Sequence, residues 1–303
     1  MGRGTRWLVL AALVVVALGL AGLLTGAIGS AFLGREPFLH RPHVQLAAEH
    51  LPWSIGPLTL RNTLLSAWLA TIVILILFVG GARGVKLVPG RWQSIVEVFI
   101  ESLYRFVESV VGRKYARTFF PVIATIFIFV AFNAWLALLP VYPSLGFKEE
   151  VVKEGHQETV FIPLLRSAGT DLNMPLALAL VSFFFVEFWG FRTMGLAYLG
   201  KFLRVGNILR GRVFQGFIDL FVGILELLSE FIRIVSFTFR LFGNMTAGEI
   251  LLLVSGFLVT FVFSVPFYGL EILVGFVQAL IFAGLTTVFV ALAVAEHGEG
   301  EHH

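Results

Sequence analysis

The chain reads as an all-α, polytopic integral membrane protein with an interfacial amphipathic helix and two long, steeply tilted C-terminal helices. Three observations predict this. Hydrophobic residues fill 58% of the 303 positions and charged residues only 14%, with 32 Phe and a mean hydropathy of +0.91, which excludes a soluble enzyme. Apolar runs of about 20 residues, enough to cross a hydrocarbon core of about 30 Å, recur between short charged segments. The penultimate apolar segment, 214–263, would reach about 75 Å as one helix, so it must tilt, bend or lie partly at the interface.

Taken in order, residues 7–29 form an apolar run behind Arg3 and Arg6. This suits a retained signal anchor, and Gly29-Ser30-Ala31 also suits cleavage, so residues 1–30 carry both readings, anchor or signal peptide. Residues 31–61 are polar, contain proline and are expected outside. The membrane domain is expected over 62–303 and opens with a span at 64–80. Along 92–112, Glu97, Glu101, Arg105 and Glu108 recur on one helical face, the pattern of a helix lying in the interface. A span at 118–139 is stopped by Pro140 and Pro143. The polar loop 141–170 carries Lys148, Glu149, Glu150, Lys153, Glu154 and Glu158. A span at 174–191 ends at Arg192, a basic loop continues through Lys201, Arg204, Arg210 and Arg212, and long helices at 214–263 and 267–295 close the chain.

Charge sets the orientation. With a cytoplasmic amino terminus, fourteen of the 22 Lys and Arg fall inside and six outside, these being Arg35, Arg41, Arg61, Lys148, Lys153 and Arg166. That follows the positive-inside rule and leaves the carboxyl terminus cytoplasmic. The net charge of +3 and pI near 9.4 do not indicate nucleic acid, because the basic residues border apolar spans and form no separate basic domain. There is no cysteine, hence no disulfide framework and no thiolate metal site.

Arg240 lies deep in an apolar stretch, in Phe237-Thr-Phe-Arg-Leu-Phe-Gly-Asn-Met-Thr-Ala-Gly-Glu249. A guanidinium at the centre of a membrane helix costs about 2.5–3.5 kcal/mol on insertion scales, so it must face protein, water or an opposite charge. It does not deprotonate, and therefore blocks a path or forces a neighbouring carboxylate to ionise instead of relaying a proton. Glu226 lies fourteen residues before it, roughly 21 Å along a helix, and Glu249 nine after it, roughly 13 Å. With the helix running outward, Glu226 belongs near the cytoplasmic side and Glu249 towards the outer side, which suits two offset aqueous half-channels with the arginine between them. Glu271 and Gln278, seven apart, share one face of the final helix, and Glu271 is expected to line the outer route with Glu249.

The string from Arg240 to Glu249 resembles the signature of subunit a of the F-type ATP synthase membrane sector, the stator beside the rotating c-ring. Glu226, Ser229 and Ser236 stand at offsets from the arginine where that family has polar residues, and Glu271-Ile-Leu-Val-Gly-Phe-Val-Gln278 resembles its last helix. The order of segments matches from about Asn62 to His297. The resemblance implies a non-catalytic, proton-translocating stator subunit whose two half-channels are separated by Arg240 as the essential charge. Protons would enter past Glu249, Glu271 and Asp171, neutralise a c-ring carboxylate and leave near Glu226 and Ser229. Gln278 would pack near Arg240. Asn244 would pin a helix interface or line the inner route, Ser236 would line the path or bond its own helix, and Asp171 and Asn173 would form the polar approach to the middle span or cap it. Implied partners are the c-ring, the peripheral stalk b subunits and other ATP synthase subunits, in a bacterial plasma membrane or equivalent energy-transducing membrane. No cofactor or metal is implied, and ATP chemistry falls to another subunit.

Other residues and classes weigh against this frame. Asn133 resembles a channel asparagine, but its spacing to Pro140 is one longer than the family pattern, and apolar Leu136 and Ala137 stand where an acidic partner is usual. Glu187, Asp219 and Glu230 read as interfacial carboxylates, Glu226 could pair with Arg233, and His297, His302 and His303 belong to a solvated tail. A secondary ion-coupled transporter of an anionic solute would use Arg240, Glu249 and Glu271 differently, but the internal repeat common in such proteins is absent. A purely structural role would make Arg240 matter for assembly alone.

Overall fold

The computed structural model describes residues 3–39, 48–55, 58–82, 86, 89–153, 156–195, 198, 200 and 213–295. Its helices are α1 (Arg3–Thr25), α2 (Ala27–Leu33), α3 (Asn62–Ala82), α4 (Arg91–Ala137), α5 (Val141–Ser144), α6 (Asn173–Met194), α7 (Val213–Leu258) and α8 (Val265–Ala295). Five helical segments among the described residues are long and apolar enough to cross a membrane: Gly4–Thr25, Asn62–Gly81, Arg91–Ala137, Asn173–Met194 and Phe261–Ala295. The basic-loop residues Lys201, Arg204, Arg210 and Arg212 and the tail histidines lie outside the described residues.

The segment expected at the interface and the span expected after it share one element, α4, broken at Gly112, where φ is 74° and ψ is 164°. That backbone region is open to glycine and strained for other residues, so a single glycine separates the amphipathic part from the apolar part. α7 has 46 residues, about 69 Å of helix, and runs without a left-handed residue past Gly243 and Gly248. It stops at Leu258, short of the expected 263, and is followed by a 3-10 turn over Phe261–Ser264.

The polar stretches hold two antiparallel hairpins that hydropathy does not reveal: β1 (His50–Ile55) with β2 (Leu58–Arg61), and β3 (Gly146–Lys153) with β4 (His156–Pro163). In the second, register runs unbroken from Gly146↔Pro163 to Lys153↔His156.

The chain forms two compact units, one of residues 1–65, 134–170 and 243–276, the other of residues 66–133, 171–242 and 277–303. In the first, the end of α1 docks on the turn after α7. The Thr260 N–H donates to the Gly22 carbonyl at 3.2 Å, and the Thr25 and Thr260 hydroxyls lie 2.8 Å apart. Fully buried Asn62 starts α3: its Oδ1 accepts from the Thr63 N–H at 2.9 Å, while its Nδ2 donates to the Pro163 carbonyl at 3.3 Å. In the second unit, Phe119 of α4 is fully buried and packs edge-on to Phe185 and Trp189 of α6 at 5.7 and 4.9 Å. Phe237 of α7 meets Phe282 of α8 at 4.8 Å, and Ser182 and Thr286 join α6 to α8 through a 2.7 Å hydrogen bond.

Candidate functional site

In the second unit, α7 carries Glu226, Ser229, Ser236 and Arg240. Phe237, Thr238 and Leu241 are buried, turning the opposite face outward. That outward face bears Ile224, Leu228, Phe231, Ile232, Val235 and Phe239, an apolar surface on which Ser229, Ser236 and Arg240 are also exposed. The Arg240 Nη2 donates to the Ser236 hydroxyl, one turn earlier, at 3.3 Å, and the guanidinium lies 5.9 Å from the Phe237 ring centre. Among the described residues no carboxylate pairs with Arg240. Gln278 is buried, and no hydrogen bond joins it to Arg240 among the described residues.

Arg233 pairs with Glu230, not with Glu226. Its Nη1 and Nη2 lie 2.6 and 2.9 Å from the two Glu230 carboxylate oxygens, and its guanidinium stacks 3.8 Å from the Phe289 ring centre. Glu230, expected at the interface, is therefore a buried half of an ion pair at 5% exposure, because three residues of helix bring it under its cation. Glu187 accepts a hydrogen bond from Tyr198, which is buried against Gly190; burial first, then the Glu187 carboxylate, raises the Tyr198 hydroxyl pKa. The Asp171 carboxylate accepts the Asn173 N–H at 3.1 Å just before α6, whose N-cap position, Leu172, makes no side-chain cap hydrogen bond. Asn133 donates to the Phe129 carbonyl of its own helix at 2.8 Å.

In the first unit, Glu249 and Glu271 occupy one neighbourhood. Gly248 is buried, and a Cβ added there would overlap the Glu271 carboxylate, which therefore lies against the α7 backbone at a position without a side chain. Glu271 is 9% exposed, and among the described residues it has no ion pair. Glu249 instead meets Arg166, whose Nε donates to both carboxylate oxygens at 3.0 and 3.1 Å. The segment after Arg166 makes this possible: Gly169 sits so close that an added Cβ would lie 2.7 Å from Met245 Cγ, and Met245 precedes Glu249 by one helical turn.

The charge count places Arg166 in an outside loop and gives it no further role; in the structure it is 7% exposed and reaches Glu249. The available signal was its setting. Pro163-Leu-Leu before it and Ser167-Ala-Gly after it are apolar or small, an unusual frame for a solvated charge in an otherwise polar loop. Asn244 is half-buried beside these residues in sequence. No group of three or more His, Cys, Asp or Glu among the described residues could hold a metal ion.

A polytopic helical protein that presents Arg240 on an apolar helix face and holds two further guanidinium–carboxylate pairs, Arg166–Glu249 and Arg233–Glu230, belongs to the class of membrane proteins that carry charge within their helical segments. Residues 64–291 match the family model described as ATP synthase A chain. The chain is 31% identical to ATP synthase subunit a of Gloeobacter violaceus over 90% of its own length and 98% of the relative's. It is 31% identical to that of Nitrosospira multiformis over 82% and 85%, and 34% identical to that of a Sulfurihydrogenibium species over 75% and 94%. The chain belongs to the ATP synthase A chain family. It is a multi-pass protein of the bacterial membrane.

Proposed function

We propose that this chain is the proton-translocating stator subunit of an F-type ATP synthase, forming two offset half-channels against a rotating c-ring. The observation that carries the reading is Arg240 on the outward apolar face of α7, hydrogen-bonded only within its own helix among the described residues. In a bilayer such a guanidinium calls for a carboxylate from outside the chain, and a ring of subunits each presenting one acid in an apolar setting is a partner of the right chemistry. A proton arrives by the outer route of Glu249, Glu271, Asp171 and Asn173 and neutralises a ring carboxylate, which then turns into lipid. After nearly a full rotation that site meets the inner route of Glu226 and Ser229. There the field of Arg240, steadied by Ser236, favours release of its proton, with Asn244 and Gln278 holding the helices around it. Each charge crossing supplies about 2.3 kcal/mol per 100 mV, so several are needed for each ATP made elsewhere in the complex. The stalk b subunits would hold the chain against the ring's torque.

The test is ATP-driven proton pumping and passive proton permeability in vesicles carrying the assembled complex, comparing wild type with Arg240→Ala at matched assembly. Loss of pumping with retained or increased leak supports the barrier role; normal pumping with intact assembly overturns it.

A further inference from the structure

We propose that α1 stays in the mature chain and acts as a clasp on the turn between α7 and α8, bracing the ends of the helices that carry Glu249 and Glu271. Residues 1–30 carry two readings by sequence, anchor or signal peptide, and the contacts at the end of α1 favour the first. The clasp stands on contacts within one compact unit; only its effect on pumping rests on the stator reading above.

Three observations at the end of α1 carry it. Gly22 and Gly26, both buried, lie so close to the Thr260 and Leu258 carbonyls that a Cβ added to either would overlap backbone, the small-residue spacing by which membrane helices approach closely. Thr260, 2% exposed, finds its partners on α1 at the same place. Its N–H donates to the Gly22 carbonyl at 3.2 Å, its hydroxyl lies 3.2 Å from the same carbonyl, and that hydroxyl is 2.8 Å from the one on Thr25. A buried N–H needs an acceptor, and α7 has already ended at Leu258. Finally, Phe261 has a φ of 66°, a left-handed conformation that a bulky residue holds only where its surroundings impose it. Its ring lies beside Gly22, and the Phe38 ring centre is 6.1 Å away. Phe38 is in turn tied to α1, its N–H donating to the Thr25 carbonyl at 3.0 Å.

Cleavage after Gly29-Ser30-Ala31 would discard Gly22, Thr25 and Gly26 together and take the acceptor from the Thr260 N–H. That stretch is also a poor protease substrate. It lies inside α2, with Gly29 and Ser30 buried and Gly29 against the Leu23 carbonyl, whereas nicking favours exposed loops. Retained, α1 starts at Arg3 and Arg6 on the cytoplasmic side and reaches the outer side at Thr25, where the charge count also puts the α7–α8 turn. Thr260 stands eleven positions after Glu249 and eleven before Glu271, so the clasp holds the point at which the two helices reverse.

The chain has no cysteine, so Thr25→Cys with Thr260→Cys introduces its only thiols, at positions whose hydroxyls are already in contact and thus within disulfide reach. Membranes carrying the assembled complex are treated with a mild, membrane-permeant oxidant. Mass spectrometry then reads the subunit's amino terminus and the disulfide-linked peptides. The expected result is a subunit that keeps the peptide before Ala31 and links T25C to T260C in most chains, with L24C/T260C, from the exposed side of α1, linking far less. Adding Gly22→Leu should cut the T25C–T260C linkage by about tenfold or more, because its side chain meets the Thr260 backbone. Gly19→Leu, with open space around its Cβ and the same added hydrophobicity, should leave the linkage intact. ATP-driven proton pumping at matched assembly should fall severalfold for G22L and stay at the wild-type rate for G19L. A subunit that begins after Ala31, or a retained α1 that does not link, overturns the clasp, and G22L pumping as well as G19L overturns the brace. Arg240→Ala runs alongside: normal pumping there overturns the stator reading and leaves the linkage result standing.

Discussion

Gly248→Ala puts one methyl group where the Glu271 carboxylate already lies. The added Cβ would overlap three atoms of that carboxylate, two oxygens and the carbon between them. These atoms are the far end of a flexible side chain, so the methyl group acts by turning the carboxylate out of its position at a site where Glu271 is 9% exposed. Overpacking a well-filled site costs about 1–3 kcal/mol. At about 1.4 kcal/mol per decade, displacing the carboxylate from its working position lowers that position's occupancy by a factor of about 5 to 150. Proton pumping in inverted vesicles should fall accordingly while assembly holds. Glu271→Asp shortens the side chain by one methylene and frees the space the methyl group needs. The double variant G248A/E271D should therefore lose less than the two single losses combined, with a coupling of about 0.5–3 kcal/mol. Strict additivity within about 0.5 kcal/mol, or a wild-type Gly248→Ala, would refute the claim that glycine is there for Glu271.

Two further outcomes follow from the fold. Glu230→Gln leaves half-buried Arg233 without its Glu230 counter-charge and should destabilise the complex in thermal unfolding in detergent, by less than the about 3–5 kcal/mol of a fully buried pair, whereas E230Q/R233M should recover most of that loss; equal midpoints for the single and double variants would count against the pair. Gly112→Ala has open space around its Cβ but imposes about 1–3 kcal/mol of backbone strain at φ 74°, so its unfolding midpoint should drop, and an unchanged midpoint would mean that the break in α4 can relax.

Much of this was legible beforehand because membrane solvation acts on every residue of a segment at once. Apolar runs near 20 residues have a one-dimensional signature, and five helices long and apolar enough to cross a membrane stand among the described residues. Arg240 was equally plain, since an ionised group in such a run must be accommodated by something specific. The hairpins at 50–61 and 146–163 were not, because short strands outside the apolar runs have neither the length nor the hydropathy that marks a span. Arg233 went to the wrong carboxylate because Glu226 and Glu230 both lie within two helical turns of it, and spacing along one helix does not say which one a neighbouring ring presses it against.

What the sequence alone determined is what depends on local chain chemistry: a predominantly helical polytopic membrane protein with an arginine near the centre of a helix too long to stand upright, the family following from the resemblance of the motif around that arginine. Tertiary structure decided which charges meet. Arg166 lies 83 residues before Glu249, and Glu271 comes 23 residues after Gly248, so no helical period connects either pair. They meet where separate segments lie against α7, with Gly169 beside Met245 and Gly248 beside the Glu271 carboxylate, and a buried charge is tolerable where such packing brings it a partner.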